Sequence, residues 1–331
     1  MKKKQLLFLF PFIISLFGCK GNYSTYSKNI LAYSTTININ LYKKNKDDYD
    51  KHLNYLTNLY KEYARLAEYN YSYKDIVNVY DINNQPLNEP LEISKELYDL
   101  LKTAISYYDI TDGNFNIAIG HASYKWKECI DSSVYVDLNQ YILDNGYELD
   151  ITGISLSDEG YYVTRTKDVL IDLGGIAKGY VNNLAINYLK ENNIENYLIN
   201  AGNSSIIIGK HPDDRDFRVG LINPTKVSEN YTVLEASNVS VTTSGDYESS
   251  FTYNNQFYHH ILSPELDNKY YYHSLSVITQ DACLGDVLST ALFNLSIEEA
   301  LNMCNNLDVE AIFYLNDGNI IKTEGFNYEK A

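Results

Sequence analysis

Two stretches of the sequence carry groups that together could hold a phosphate-bearing ligand and a cation. The first is an apolar run over 169–173, followed by Gly174-Gly175 and, at the start of a predicted helix, by Lys178. Paired glycines let the backbone approach a ligand closely, and a helix N-terminus offers unpaired N–H groups and a positive dipole. This chemistry suits phosphate. The run is neither a P-loop nor a dinucleotide-binding glycine fingerprint, however, and such junctions are also ordinary turns.

The second stretch is a predicted helix in which Asp286 and Thr290 stand four residues apart. At that spacing the carboxylate and the hydroxyl project from one face of the helix. Both are hard oxygen ligands of the kind that Mg²⁺ or Ca²⁺ accepts. The alternative is an acidic residue that complements the helix dipole beside a packed threonine, and these two residues alone favour that alternative.

A histidine pair and a polar strand end are further candidates for ligand contacts. His259 and His260 are adjacent, and in a strand they would point to opposite faces, so at most one can face a given site. That one could act as a general base or contact a phosphate; the alternative is a partly exposed histidine without a role. Thr243, Ser244 and Gly245 lie at the end of a predicted strand and form either a loop that lines a ligand or a simple turn.

A mixture of helices and strands must position these residues. Alternation of apolar residues indicates strands, and apolar spacing of three and four indicates helices. Strands are predicted over 33–42, 169–173, 197–200, 205–208, 217–221, 240–243 and 275–279, helices over 48–69, 94–108, 176–191, 284–295 and 297–307, a hairpin region over 134–163 and a closing hairpin through 317–319. The elements do not alternate strictly and no repeat is found. The predicted fold class is therefore mixed α/β (α+β) in a single domain.

The composition favours a folded acidic domain. The chain has 331 residues, of which 45% are hydrophobic, and this is enough for a core of its own. Asp and Glu number 43 against 27 Lys and Arg, which gives a formal net charge of -16. Such a charge repels phosphate backbones, so nucleic acid is not expected as a partner. The oligomeric state does not follow from these features.

The N-terminus has the layout of an export signal. Lysines at 2–4 precede an apolar run over 6–17 that ends at Gly18-Cys19. This ending resembles the bacterial lipobox, in which cleavage before the cysteine leaves it diacylated. We therefore predict a lipoprotein signal peptide over 1–18, with a palmitate-type lipid on Cys19. The alternative is a plain signal peptide with an incidental cysteine.

The remainder of the chain is then a tethered domain outside the cytoplasm. A hydrophilic tether is predicted over 19–29 and the folded domain over 30–331, held by lipid at the extracytoplasmic face of the cell membrane. Removal of 1–18 takes away three lysines, so the net charge moves from -16 to -19. The remaining cysteines show no disulfide or zinc spacing, so three buried thiols are expected and one bridge stays open: Cys129, Cys283 and Cys304.

Taken together and in order, these segments resemble the ApbE-like flavin transferases, the FAD:protein FMN transferases. Tyr33-Ser34-Thr35 stands where that family has Met-Gly-Thr. The other matching segments are 111–115 with Trp126, 172–180, 200–202, 241–247, 259–264, 286–293 and 324–326. Each segment alone is common in proteins, but eight segments in the same order as in this family are specific for it. Together they extend over nearly all of the predicted mature chain.

The resemblance implies a Mg²⁺-dependent enzyme with FAD as its substrate. It implies transfer of FMN to a Thr or Ser hydroxyl of an extracytoplasmic flavoprotein, with release of AMP. The family's metal ligands match the side chains of Asp286 and Thr290 and the backbone carbonyl of Ala177. His260 matches a catalytic-site histidine that is a proposed base, beside Asp286. The residues that would contact FAD are Thr35, Trp126, Lys178, Thr243, Ser244, Gly245 and His260. Trp126, the only tryptophan, would offer a stacking surface.

The negative charge of the domain would also repel a bound diphosphate. A divalent ion would screen the pyrophosphate from the excess negative charge, so metal dependence is expected on physical grounds as well. Four carboxylates of the family pattern are amides or hydroxyls here: Asn116, Asn183, Ser204 and Ser263. This departure keeps open a non-catalytic lipid-anchored flavin-binding protein. Two further alternatives are an FAD pyrophosphatase and a structural surface protein.

Overall fold

The computed structural model describes residues 23–43 and 49–326 and the backbone of 329–330. The strands are β1 Ser24–Ala32, β2 Thr35–Lys43, β3 Leu91–Glu92, β4 Ile154–Ser157, β5 Tyr162–Arg165, β6 Tyr197–Ala201, β7 Ser205–Ile208, β8 Phe217–Ile222, β9 Asn230–Ala236, β10 Val239–Gly245, β11 Ser250–Tyr253, β12 Gln256–His259, β13 Tyr272–Thr279, β14 Glu310–Leu315, β15 Ile320–Lys322 and β16 Glu329–Lys330. The α-helices are α1 Asp50–Leu66, α2 Val79–Asn84, α3 Lys95–Ile110, α4 Gly120–Ser132, α5 Leu138–Asn145, α6 Ala177–Glu191, α7 Ala282–Ala291 and α8 Ile297–Leu307. The predicted mixed α/β single domain is confirmed.

An eight-stranded antiparallel sheet forms the centre of the molecule, in the order β1-β2-β6-β7-β10-β13-β14-β15. The alternation of apolar residues along its strands fixes the register in which they pair. In β2, Ile37, Ile39 and Leu41 are fully buried on one face, and Ile39 pairs with Ile199 of β6. A slip of one residue would expose this whole set, so the pairing is strongly specified.

The two faces of the large sheet have different covers. Helices α1, α6 and α7 pack on one face and form the main core with it. The small sheet β16-β9-β8 lies against the other face, where Phe217, Leu221 and Leu234 meet Ile208 and Ile312 of the large sheet. The helical face is the one that carries the candidate site.

Several predicted elements match the structure residue for residue or nearly so. β7 and α8 have the predicted bounds, and Ser94 caps α3 through a bond from the Leu97 N–H. The N-cap of α8 is Ser296, which forms a reciprocal capping box with Glu299. Strong periodicity and a local cap defined these helices, because both signals depend only on neighbouring residues.

The hairpin predicted over 134–163 is correct only in its second half. β4 and β5 form the hairpin, whereas residues 138–145 form α5. Asp137 caps that helix and Gly146, at φ 68°, ends it in the left-handed conformation. Helix α4, which precedes this region, was not predicted at all.

The strand predicted over 169–173 is not a strand in the structure. The segment is buried, but its pairing is limited to an isolated bridge between Leu170 and Ile119. The side chain of Asn83 replaces the missing strand neighbour, since its Oδ1 accepts the Ile171 N–H at 2.8 Å and its Nδ2 donates to the Ile171 carbonyl at 3.0 Å. An amide side chain can satisfy a buried backbone without a ladder.

The tether predicted over 19–29 is too long at its C-terminal end. Strand β1 begins at Ser24 and pairs with β2 along its whole length, because Ile30 and Ala32 can be buried against the helical face. The predicted signal peptide and the lipidation site Cys19 lie outside the described residues. Among the helices that the structure describes, none is long and apolar enough to cross a bilayer. The other three cysteines are free and buried, as expected.

Candidate functional site

The site begins where α6 crosses α7 in direct contact. Gly179 makes this contact possible, because a Cβ at that position would lie 2.4 Å from the Asp286 Cβ and 2.5 Å from the carbonyl oxygen of Ala282. Real carbon atoms do not approach so closely, so only glycine fits. The glycine turn that precedes α6 is therefore held against the helix that carries Asp286 and Thr290, as the sequence interpretation requires.

Asp286 is buried at this crossing, with 5% of its surface exposed. Its Oδ2 accepts the Gly179 N–H, in the first turn of α6, at 2.7 Å. Burial raises the pKa of the Asp286 carboxyl, while the positive charge of Lys178 and the Gly179 N–H oppose the rise. A cation bound beside Asp286 would stabilise the ionised form of this buried carboxyl.

Thr290 lies one turn further along α7 and faces the glycine turn. A Cβ on Gly175 would stand 3.0 Å from the Thr290 Oγ1, so the backbone of the turn and the hydroxyl are close neighbours. Ser244 of β10 is tied to the same helix, since its hydroxyl donates to Ser289 Oγ at 3.0 Å, and Ser289 donates to the Asp286 carbonyl at 2.9 Å. The end of β10, the glycine turn before α6 and helix α7 thus form one wall of the site.

A cavity of about 320 Å³ opens in front of this wall. Six of the ten residues to which the resemblance assigned a metal, FAD or catalytic role line it together: Lys178, Thr243, Ser244, His260, Asp286 and Thr290. They come from α6, β10, α7 and the segment after β12, and only folding brings them together. Asp172, which the sequence placed beside the glycine turn, also lines the cavity and accepts the Gly174 N–H at 2.7 Å.

His260 lines the same cavity from the segment that follows β12. Its backbone N–H and its Nδ1 both donate to the Ser249 carbonyl, at 3.1 and 3.2 Å. Because a carbonyl only accepts, Nδ1 carries the proton of the neutral ring and Nε2 keeps its lone pair. The His260 side chain is exposed to the cavity; desolvation lowers its pKa from the ordinary 6.5, the bond to the Ser249 carbonyl opposes this fall, and the positive charge of Lys178 adds to it. The ring is thus a neutral base near pH 7.

The adjacent His259 has a different environment. It ends β12, is 4% exposed, and its Nε2 lies 3.3 Å from the Lys269 carbonyl. Burial lowers the pKa of His259 to about 4. As predicted for neighbours along an extended chain, only one of the two histidines reaches the cavity.

Comparison with known proteins agrees with this arrangement. The family model described as the ApbE family matches residues 33–313. The chain belongs to the ApbE family. It is 28% identical to the FAD:protein FMN transferase of Klebsiella pneumoniae (strain 342) over 281 residues, which cover 80% of this chain and 82% of that one.

Two solved structures extend the likeness to the fold. The ApbE protein of Thermotoga maritima has a TM-score of 0.80 and 25% identity, covering 91% of this chain and 97% of that chain. The flavin transferase ApbE from Vibrio cholerae has a TM-score of 0.74 and 19% identity, with 92% and 98% covered, and shares the fold. The resemblance found in the sequence to the ApbE family is confirmed.

Four of the residues matched to the ApbE family lie outside the cavity wall. Trp126 is 3% exposed, and its Nε1 donates to the His259 carbonyl at 2.8 Å, so no ring face is open for the predicted stacking. Thr35 packs against Gly202 at the start of β2. Gly245 is buried beside the ring of Tyr247. Ala177 is the first residue of α6, behind the wall.

Sequence reasoning missed two residues close to the site. Glu248 lines the cavity, where desolvation raises the pKa of its carboxyl and Lys178 opposes the rise. Tyr33 replaces the methionine of the ApbE pattern, and its hydroxyl lies 3.5 Å from the Ala177 carbonyl as donor. Glu248 directly follows the matched segment 241–247, which was the available signal. No local signal pairs Tyr33 with a residue 144 positions away.

Of the four departures from the ApbE pattern, two have a plain structural role. Asn183 donates to Asp281 Oδ1 at 2.6 Å and accepts the Ala282 N–H at 2.8 Å, so an amide fits where two carboxylates would repel. Ser263 accepts the Glu265 N–H at 3.1 Å in a loop turn. Asn116 and Ser204, by contrast, line the cavity itself.

Proposed function

We propose that this chain transfers FMN from FAD to a threonine or serine hydroxyl of an extracytoplasmic flavoprotein, with Mg²⁺ bound, and releases AMP. The observation that carries the proposal is the meeting of Asp286, Thr290 and the glycine turn in one cavity with His260. Curated relatives from Klebsiella pneumoniae and Haemophilus influenzae bear the name FAD:protein FMN transferase. The roles of individual residues below are part of the proposal.

The donors at the α6–α7 crossing fit Mg²⁺. Within the described residues no cluster of three or more His, Cys, Asp or Glu side chains could hold a metal. A metal ion at this site would therefore need ligands from the substrate as well as from the protein. Mg²⁺ characteristically binds one or two carboxylates together with substrate phosphates. Asp286 supplies the carboxylate and Thr290 a hydroxyl at the cavity wall, both hard oxygen donors, and the carbonyl of Ala177, which lies behind that wall, is the third donor that the ApbE pattern adds. When bound, the ion would neutralise charge on the diphosphate.

The protein groups have separable tasks in the proposed reaction. The ammonium group of Lys178, which lines the cavity, binds phosphate oxygens. The acceptor hydroxyl oxygen forms a bond to the phosphorus of FMN, and the P–O bond to AMP breaks, so that AMP leaves with the bridging oxygen. The Nε2 of His260 takes the hydroxyl proton. Positioning and charge neutralisation provide most of the rate in phosphoryl transfer.

The experiment uses the full chain in detergent with FAD, MgCl₂ and a flavin-free acceptor domain that carries FMN on threonine in its native host. AMP is measured by chromatography and the acceptor by intact mass. We expect AMP and a mass gain of one FMN in equal amounts. AMP release at the same rate without the acceptor would indicate FAD hydrolysis instead, and FAD binding without AMP would indicate a non-catalytic flavin-binding protein.

We further propose export and lipid anchoring at Cys19. The support is the charged start, the apolar run over 6–17 and the lipobox-like ending. Metabolic labelling with a radioactive fatty acid tests it directly. Label is expected on the wild-type chain and not on Cys19→Ser; equal labelling of both would refute the anchor.

A further inference from the structure

A cluster of three polar side chains lies beside the β11–β12 hairpin. Asp246 directly follows β10 and is 3% exposed, and its Oδ2 accepts bonds from the Tyr270 hydroxyl at 2.8 Å and from the His273 Nδ1 at 2.7 Å. Because a carboxylate only accepts, the Nδ1 of His273 carries a proton. Burial raises the pKa of the Asp246 carboxyl, and the two bonds oppose this rise. None of the three lines the cavity in which Asp286 meets His260, here called the reactive cavity.

The backbone of β13 is irregular at His273. The pairing of β13 with β14 shifts register between Tyr272 and Ser274, so His273 is the extra residue of a β-bulge. A bulge gives up regular pairing and turns a side chain in a new direction, and bulges are frequent beside active sites. Here the bulge lies at the residue whose imidazole donates to the buried carboxylate.

The cluster contacts both ends of the β11–β12 hairpin. At the entry, Asp246 begins the four-residue connection that leads from β10 to β11. At the exit, the ring of Tyr270 packs against Phe257 and His259 of β12, with ring centroids 5.2 and 5.8 Å apart. These two side chains lie on the same face of β12, because alternate residues of a strand share a face. One buried carboxylate thus joins the segments that enter and leave the hairpin.

The same two segments carry the pair of hydrogen bonds that orients His260. Ser249 is the last residue of the connection, and its carbonyl accepts from the backbone N–H and the Nδ1 of His260, the first residue after β12. A shift of either segment would lengthen both bonds together. Loss of the Nδ1 bond would allow the other tautomer of the ring, because that bond determines which nitrogen is protonated.

We propose that Asp246, Tyr270 and His273 form a positioning cluster that fixes the orientation and the tautomer of the His260 ring. The inference rests on the proposed function, in which the Nε2 of His260 takes the proton of the acceptor hydroxyl. The three residues act on His260 through the backbone of the hairpin and take no part in binding FAD or Mg²⁺. A buried polar network whose members are all paired provides this kind of rigidity.

The test compares His273→Leu with His273→Asn in the full chain. Leu donates no hydrogen bond, whereas the amide nitrogen of Asn can replace Nδ1 as the donor to Asp246. His211→Leu is the matched control, since His211 is also buried, lies 4.0 Å from Asp213 through its Nδ1, and is outside the wall of the reactive cavity. Tyr270→Phe is a milder second variant that removes only the hydroxyl.

Two measurements are made on each protein. Nitrogen NMR of the histidine rings reports the tautomer of His260 without any substrate, and the transfer assay gives kcat, FAD affinity and the Mg²⁺ requirement. We expect the Nδ1–H tautomer and a similar kcat in the wild type, His273→Asn and His211→Leu. In His273→Leu, and less strongly in Tyr270→Phe, we expect mixed tautomers and a kcat lower by about tenfold, with FAD affinity and the Mg²⁺ requirement unchanged.

The other outcomes separate this inference from its alternatives. A single Nδ1–H tautomer with wild-type kcat in His273→Leu overturns the inference alone. Equal losses of kcat in His273→Leu and His273→Asn, or in His211→Leu, indicate an effect of packing or stability and also overturn it. If His273→Leu does not fold, Tyr270→Phe decides by the same two readings. If the wild type modifies no acceptor, the proposed function fails, while mixed tautomers in His273→Leu would still support the positioning of the ring.

Discussion

The two sides of the reactive cavity are built by different means. On the helical side, α6 and α7 touch at Gly179, and the position of Asp286 is fixed by close packing that leaves no room for a methyl group. On the loop side, His260 follows the short strand β12 and is held by two bonds to one carbonyl, that of Ser249. One side is rigid through packing and the other is oriented by hydrogen bonds.

This difference separates two requirements of the proposed reaction. A cation needs oxygen ligands at fixed positions, which rigid helices supply. A base needs a defined tautomer and a suitable pKa, which a hydrogen bond to a backbone carbonyl and partial desolvation supply. Substitutions on the helical side should therefore alter metal dependence, and those on the loop side should alter the pH profile.

The largest effect is expected on the helical side, from Asp286→Asn. Asn can still accept the Gly179 N–H but lacks the charge, so the rate of AMP formation should fall by about 10³-fold. The dependence of FAD binding on Mg²⁺ should also disappear. Asp281→Asn is the matched control, since Asp281 caps α7 outside the cavity wall and Asn caps equally well. A rate within fivefold of wild type in Asp286→Asn would contradict the assignment.

A smaller effect is expected on the loop side, from His260→Gln. Loss of the base should lower kcat by about 10²-fold without changing FAD affinity. In the wild type, the active form is the neutral ring, so activity falls as the pH drops through the pKa of His260. That pKa is lowered by desolvation, so the fall should come at a more acidic pH than for an ordinary histidine. In the variant this acid limb should be absent; its persistence would exclude His260 as the titrating base.

The smallest effect should arise behind the helical side, from Tyr33→Phe. The variant removes the hydroxyl that lies 3.5 Å from the Ala177 carbonyl. Groups that orient metal ligands affect metal affinity, and at this long distance we expect only about a threefold rise in the Mg²⁺ concentration for half-maximal rate. Tyr98→Phe is the control, because its hydroxyl bonds to Asp158 on another part of the surface. Equal Mg²⁺ requirements in all three proteins would remove Tyr33 from the site.

The sequence predicted the helical side well because its signals are local. The period of the apolar residues predicted α6 to within one residue, and the glycines before α6 marked the turn. The second helix was predicted over 284–295 and lies at Ala282–Ala291. The loop side depended on resemblance, since a histidine pair by itself does not reveal which ring reaches a cavity. The bond between His260 and Ser249 joins two residues across the β11–β12 hairpin, and no periodicity encodes it.

Other errors arose where tertiary contacts replace local patterns. The segment 169–173 resembles a strand in composition, yet the Asn83 side chain completes its hydrogen bonds. Trp126 was expected to offer a ring face, but helix α4 turns it into an apolar cluster with Phe251 and Tyr258. In both cases the residues that determine the structure are distant in the chain, so the local secondary-structure propensity could not predict it.

If Cys19 carries the proposed lipid, the start of β1 at Ser24 limits how far the domain could stand from a bilayer. Five Cα–Cα steps separate Cys19 from Ser24, and a fully extended chain of that length reaches roughly 17 Å. A domain on so short a tether would meet acceptor proteins that are themselves bound to the membrane. Acceptor proteins that diffuse freely would have to approach the membrane surface. Encounter would then be governed by lateral diffusion in two dimensions.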